Sequence, residues 1–288
     1  MGLPETSKTL GRATHEAFAS AADLPAKPLA KEAVVIRVLF LVLTVTTIYA
    51  LMTLDYESVD MGEALAGTLA NLKTIFLHPG GTHLTFGKAL YEVVITLGLA
   101  FLTTLLGGVM ALFLGLLSAQ NLAPKALTNV IKAFVAFIRA VPTILWVLIF
   151  AVAAGLGSAA AVIGMTFHTI SYLTKAYAES FEELDRSVIE ALRASGASWW
   201  QIVFQAVIPS SFTYLLSWTF LRFEINFANA VAMGAAAGAA GIGFDLYMAS
   251  SFYFDLHGVG LITYIILAFA MSLETMATTM KGRIKDKH

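Results

Sequence analysis

Residues 190–209 read EALRASGASWWQIVFQAVIP. The stretch is polar at its start and amphipathic further on, and long apolar runs lie on both sides of it. Ser187-Val188-Ile189-Glu190 has the form of a capping box, in which a glutamate three residues after a serine satisfies free amides at a helix start. Ala191 and Ala194 are small, so another surface can approach them closely. Gly196 can take the left-handed conformation that ends a helix. Ala197-Ser198-Trp199-Trp200-Gln201 then opens a second helix, and Pro209 marks the return to an apolar run. The spacing predicts a helix–turn–helix. By itself it fits two roles: a hairpin lying on a bilayer surface, or an element gripped by a partner.

The flanking sequence fixes the environment. Hydrophobic residues make up 58% of the chain and charged ones 13%, with a mean hydropathy of +0.78. A soluble domain of this size carries about twice that charged fraction. The apolar runs are far longer than barrel strands, and backbone in lipid must satisfy its own hydrogen bonds, so the spans are helices. The sequence predicts an all-α membrane protein with six transmembrane helices, at about 34–54, 90–118, 130–156, 158–176, 210–232 and 259–279. Residues 1–33 are mostly polar or small, lack the pattern of a cleaved signal peptide, and read as a cytoplasmic N-terminal arm before a transmembrane domain over 34–288. Pro142 lies inside the third run and is expected to kink or break it.

Charge sets the orientation. Lys8, Arg12, Lys27, Lys31 and Arg37 lie before or at the start of the first span. Lys125 and Lys132 follow the second, Lys175, Arg186 and Arg193 the fourth, and Lys281, Arg283, Lys285 and Lys287 the last. The opposite loops hold only Lys73 and Lys88. The positive-inside rule therefore places both termini and the 179–209 loop in the cytoplasm. The net charge of −1 gives no footprint for nucleic acid.

Several polar groups fall inside apolar runs. Arg222 and Glu224 come 13 to 15 residues after Pro209, roughly 20 Å along a helix. Arg222, Asn226 and Asn229 share one face, while Glu224 points elsewhere. Charges at that depth either pair internally, with Glu274 a candidate partner, or line a wet path. The second reading makes Arg222, Glu224, Asn226 and Asn229 translocation-path residues. Arg139, just before Pro142, reads as an anchor that snorkels. Residues 234–243, GAAAGAAGIG, fit close helix packing or a break at the outer mouth. Gly238, Gly241, Gly243 and Pro142 are the candidate gate or hinge positions.

No catalytic constellation stands out, and His78, His83, His168 and His257 lack metal-ligand spacing; each reads as structural or merely exposed. There is no G-x-x-x-x-G-K-[ST] phosphate cradle. The chain reads as a non-catalytic subunit with no catalytic and no metal site. No internal repeat is evident, which weakens an autonomous ion-coupled secondary transporter or channel, with Arg222, Glu224 and Glu274 as a relay, but leaves it open.

The 190–209 stretch resembles the coupling motif of ABC-importer permeases, E-A-A-x-x-x-G-x9-I-x-L-P. It matches at Glu190, Ala191, Gly196 and Pro209, while Leu192, Ala206 and Ile208 stand where the motif has Ala, Ile and Leu. From about residue 79 to the end the chain is similar to the phosphonate-type permease family. The matching pieces are Ser118-Ala119-Gln120-Asn121-Leu122-Ala123-Pro124, Ile138-Arg139-Ala140-Val141-Pro142, Phe223-Glu224-Ile225-Asn226 and Gly238-Ala239-Ala240-Gly241-Ile242-Gly243-Phe244. Ala240 replaces one glycine of the last piece, and Ala228 stands where the family often has an arginine. The resemblance implies a type I importer permease with a MetI-like core in a bacterial inner membrane, moving phosphonates, phosphite or hypophosphite; another small anion or an amino acid is the alternative substrate. It implies two ABC ATPase subunits that bind ATP and Mg, no cofactor in this chain, a second permease (identical or paralogous), and a periplasmic or lipid-anchored substrate-binding protein. It implies that Glu190, Ala191, Ala194, Gly196, Ala197 and Pro209 form the ATPase-coupling surface.

Overall fold

The computed structural model describes residues 31–54, 60–81 and 83–285, all helix and connecting turns with no strand among them. The chain divides into two compact units, Met1–Ala64 and Leu65–His288. The arm expected over 1–33 lies outside the described residues except for its last three, which begin helix α1 (Lys31–Thr53). No residue of α1 is buried within the chain. Its 23 residues reach about 34 Å, enough to cross the hydrocarbon layer. Thr46 and Thr47 donate their hydroxyls back to the carbonyls of Val42 and Leu43, so α1 carries no unsatisfied polar group there. Helix α2 (Met61–Leu77) starts where the Asp60 carboxylate accepts from the Gly62 and Glu63 amides.

The second unit is built around α6 (Ser158–Glu182). Against it pack α3 (Phe86–Ser118), α4 (Lys125–Ala140), α5 (Thr143–Ala154) and α9 (Ile208–Ala237). Helix α3 explains why: Ala89, Val93, Thr96, Ala100, Thr104, Gly107, Ala111 and Gly115 form one buried stripe of small residues. Phe101, Leu105, Val109 and Phe113 are exposed on its other side. Small residues let helix backbones approach in lipid, where apolar burial alone gives no preference for protein over tails. A side chain on Gly107 would run into Thr169, and one on Gly115 would touch Tyr177 and Phe181.

Pro142 does break the third apolar run, and the break is severe. Helices α4 and α5 meet at 88°. Proline offers no amide to the Ile138 carbonyl; that oxygen instead accepts from the Val141 amide and, at 3.0 Å, from the Trp146 indole. The expected single span over 130–156 is therefore two short arms. By length and composition three helices can cross a membrane: α1, α3 and α11 (Leu256–Lys285, its apolar part Leu256–Thr279). The number rises to five if each bent pair is one span, so the six expected spans are not all recovered. Helix α6 is the one that misses. Its buried Thr166, Thr169, Ser171, Thr174 and Ser180 face protein rather than lipid, which lowers its apolarity without cost.

A chain of hydroxyls joins α6 to the antiparallel α9. Ser211 donates to the Ser180 carbonyl at 3.1 Å, Tyr177 and Thr219 hydroxyls lie 2.6 Å apart, and Arg222 and Asn226 both reach Thr169. Helix α10 (Ile242–Tyr247) follows α9 after a bend of 51°. At the same end the last turn of α2 docks on α11: Tyr264 donates to the Phe76 carbonyl at 2.7 Å.

Candidate functional site

Helix α7 (Arg186–Ala194) and helix α8 (Trp199–Ile202) form the expected hairpin. The helix start differs from the sequence reading. Asp185, not Ser187, caps α7, accepting the Ser187 amide at 2.9 Å. That bond holds the Asp185 carboxyl below its usual range. The capping box instead opens α8, between Ser198 and Gln201. Gly196 has φ +86°, and the amides of Gly196 and Ala197 bond back to the carbonyls of Arg193 and Leu192. This pairing closes α7 as a Schellman turn. Beyond Ile202 the backbone widens into a π turn over Val203–Val207 before Pro209 in the first turn of α9. The wide turn gives the proline ring the room it would otherwise lack against the carbonyl four residues back.

Glu190, Ala191, Ala194 and Gly196 are exposed, Ala197 is half-buried and Pro209 is exposed. Beneath them Ile189 is fully enclosed, in one apolar cluster with Leu116, Leu122, Leu173, Phe181, Ile202 and Val207. The 119–124 turn completes the seat. Trp199 Nε1 donates to the Leu122 carbonyl at 3.0 Å, and Arg193 reaches the Asn121 carbonyl at 3.4 Å. Asn121 Nδ2 donates to the Phe181 carbonyl, and Glu182 accepts from both the Gln120 amide and Lys132 Nζ. Two of the sequence pieces noted above, 118–124 and 190–209, are thus one construction. The first serves as the socket for the second, a link that sequence spacing alone does not reveal.

The mid-span polar residues converge less than expected. Arg222 and Asn226 are buried, at 2% and 0% exposure, while Glu224 and Asn229 are half-buried. Arg222 Nε donates to Thr169 Oγ1 at 3.2 Å and Nη2 to His168 Nδ1 at 3.1 Å, and the guanidinium lies 5.1 Å over the Tyr172 ring. Asn226 Nδ2 donates to Thr104 and Thr169 hydroxyls at 2.9 and 3.0 Å. Thr169 in turn donates to the Met165 carbonyl at 2.8 Å, so its one proton and both lone pairs are used. Neither Glu224 nor the exposed Glu274 pairs with Arg222 among the described residues, so the pair considered from sequence does not form. His168, read from sequence as structural or exposed, is half-buried and a direct partner of Arg222.

The glycine tract both packs closely and breaks the helix. Gly234 packs so tightly on Gly243 and Phe244 that a side chain there would meet backbone, and a side chain on Gly243 would run into the Val231 carbonyl. The helix also breaks: Gly238 caps α9 at φ +65° and Gly241 begins α10 at φ +114°. Hydroxyls from two other helices hold the broken backbone. Thr96 accepts the Ile242 amide at 3.0 Å and Ser158 the Ala240 amide at 2.9 Å. Pro142 is exposed at the head of α5. No cluster of three or more metal-type side chains occurs among the described residues.

Comparison with known proteins agrees with this architecture. Residues 111–284 match the family described as "binding-protein-dependent transport system inner membrane component". Over 191 residues, 66% of this chain, the sequence is 30% identical to the phosphite transport system permease protein PtxC of Stutzerimonas stutzeri, covering 69% of that protein. It is 29% identical, also over 191 residues, to the phosphate-import permease protein PhnE of Mycolicibacterium smegmatis, although the match spans only 35% of that protein's length. Among solved structures, an inward-facing form of the MetNI methionine ABC transporter superposes with a TM-score of 0.58 at 21% identity, over 68% of this chain and 94% of that one. The fold is thus that of an ABC-importer permease, and the chain belongs to the family of binding-protein-dependent transport system inner membrane components, whose members are transport subunits rather than enzymes.

Proposed function

We propose that this chain is the permease subunit of an ATP-driven importer for phosphonates or related phosphorus oxyanions such as phosphite and hypophosphite. One observation carries the coupling half of this reading: α7 presents small residues and Glu190 outward while Ile189, Arg193 and Trp199 lock it to the core. An element that is both exposed and rigidly seated can be pushed by a partner and pass the displacement on to α3, α6 and α9. The names of the relatives support the substrate class.

In this reading both termini and α7 face the cytoplasm of a bacterial inner membrane, following the distribution of basic residues. Two ATPase subunits, which bind ATP and Mg, dock on the α7 surfaces of two permease chains, identical or paralogous. A periplasmic or lipid-anchored binding protein delivers the anion to the opposite face. ATP and the loaded binding protein favour the outward-facing state because both bind it better than the inward-facing one. Gly238, Gly241, Gly243 and Pro142 are where the helices bend as the path changes access. Arg222 and Asn226 act from behind the path wall, and Glu224 and Asn229 stand nearer its surface.

The test is reconstitution of the chain with its cognate ATPase and binding protein. ATP hydrolysis should rise with loaded binding protein and be accompanied by uptake of a labelled phosphorus oxyanion. Uptake by the purified chain alone, driven by an ion gradient, would overturn the reading.

A further inference from the structure

We propose that His168 and Lys175, on one polar stripe of α6, and Arg139 on the facing helix α4 form a transient oxyanion site in the cytoplasmic half of the path. The proposal rests on the function proposed above and adds the residues that would handle the anion on its way out.

The stripe is the first observation. Helix α6 is the most enclosed helix of its unit, yet in its second half His168 and Tyr172 are half-buried, and Lys175 and Glu179 exposed. Their spacing of four, three and four residues puts them on one face. A face turned to lipid would be apolar. Polar and charged residues gathered on the open side of an otherwise buried helix belong to a wet passage or to a partner that lines one.

Donor logic then defines what His168 offers. Arginine has only donors, so the His168 Nδ1 that lies 3.1 Å from Arg222 Nη2 must accept. The ring is therefore neutral with its proton on Nε2, and Nε2–H has no protein partner among the described residues. Behind it stands the Arg222 charge, whose partners His168, Thr169 and Tyr172 are all neutral. The half-buried imidazole thus presents a hydrogen-bond donor backed by a fixed positive charge that pairs with no carboxylate among the described residues. An oxyanion is the ligand that both features favour.

The stripe leads into a cavity of about 330 Å³ between α4 and α6. Its charged lining is Lys132, Arg139, Lys175, Glu179 and Glu182. Lys132 pairs with Glu182 at 3.1 Å and Lys175 with Glu179 at 3.6 Å, leaving Arg139 as the cation without a carboxylate partner among the described residues. A guanidinium with no carboxylate partner among the described residues, set at the wall of a polar cavity, favours an anionic occupant. The volume takes a small tetrahedral anion with several waters, each of about 30 Å³. The two glutamates in the same lining keep the hold weak, as release requires.

The experiment uses the complete complex in proteoliposomes with saturating binding protein, reading both labelled phosphite uptake and ATP hydrolysis. Arg139→Gln and His168→Leu should each lower phosphite moved per ATP by about tenfold, the scale of one charge-assisted hydrogen bond, while stimulation of ATP hydrolysis persists. His168→Gln should restore most of the uptake lost in His168→Leu, because an amide can accept from Arg222 and still donate outward. Unchanged uptake per ATP in Arg139→Gln and His168→Leu would overturn the proposal, as would equal loss in the Leu and Gln variants. If His168→Leu fails to assemble, Arg139→Gln decides, since that side chain is exposed. A wild-type complex that hydrolyses ATP with its loaded binding protein yet moves none of phosphate, phosphite or methylphosphonate would instead sink the functional reading itself.

Discussion

The indole Nε1 of Trp199 donates to the carbonyl oxygen of Leu122 at 3.0 Å, across 77 positions of sequence. This bond fastens the hairpin at α7 and α8 to the turn between α3 and α4. Without it the hairpin would be held mainly by apolar packing around Ile189 and Ile202. Trp199→Phe keeps most of the ring packing and removes the donor, leaving a partly buried carbonyl with one partner fewer. A loss of about 1 kcal/mol is expected. Thermal unfolding in detergent would measure it, and transport assays should show fewer anions moved per ATP.

Gly196 tests the backbone alone. Its φ is +86°, and a methyl group there would meet nothing within 4 Å. Gly196→Ala should therefore destabilise only through left-handed strain, by about 1 kcal/mol. Gly196→Asn should cost less, because asparagine tolerates that region better. Equal losses for the two variants would point to a lost partner contact rather than strain, and binding of the ATPase to each variant would separate the cases.

How much of this was legible in the sequence varies with the range of the interaction. The turn at Gly196 and the break at Pro142 are local backbone effects, and both were readable. The start of α7 was misassigned because Asp185 and Ser187 compete for one cap, and a carboxylate two residues upstream of a serine amide won. Helix α6 reads as weakly apolar because its buried hydroxyls face other helices and its charged residues lie on one open face, so hydropathy alone undercounts the spans. The partners of Arg222 were out of reach for another reason. They lie 53 and 54 positions away and are neutral, whereas sequence reasoning looks for an opposite charge.

Gly107 and Thr169 form a matched pair across α3 and α6. A side chain at 107 would occupy the space of the Thr169 methyl and push its hydroxyl away from Arg222 and Asn226. Gly107→Ala is expected to cost about 1–3 kcal/mol, the usual range for overpacking. Adding Thr169→Ser removes the nearest obstructing atom and keeps the hydroxyl, so the double variant should regain part of the loss. A double-mutant cycle on unfolding midpoints reads the coupling.

Thr169→Val removes the acceptor shared by Arg222 Nε and Asn226 Nδ2, and should destabilise by about 1–2 kcal/mol. Glu274→Gln should leave stability and uptake unchanged, since Glu274 is exposed and does not pair with Arg222. The opposite pattern, with Thr169→Val silent and Glu274→Gln damaging, would favour an ion relay through span residues over the packing described here.

The central claim is that α7 is the surface through which a separate ATPase drives this permease. The most direct measurement is ATPase co-purification and stimulation by loaded binding protein in Glu190→Lys, a charge reversal at an exposed position outside the apolar seat of α7. The account predicts that the variant folds with an unchanged unfolding midpoint but loses both the bound ATPase and the stimulated hydrolysis. Wild-type levels of both in Glu190→Lys would contradict it.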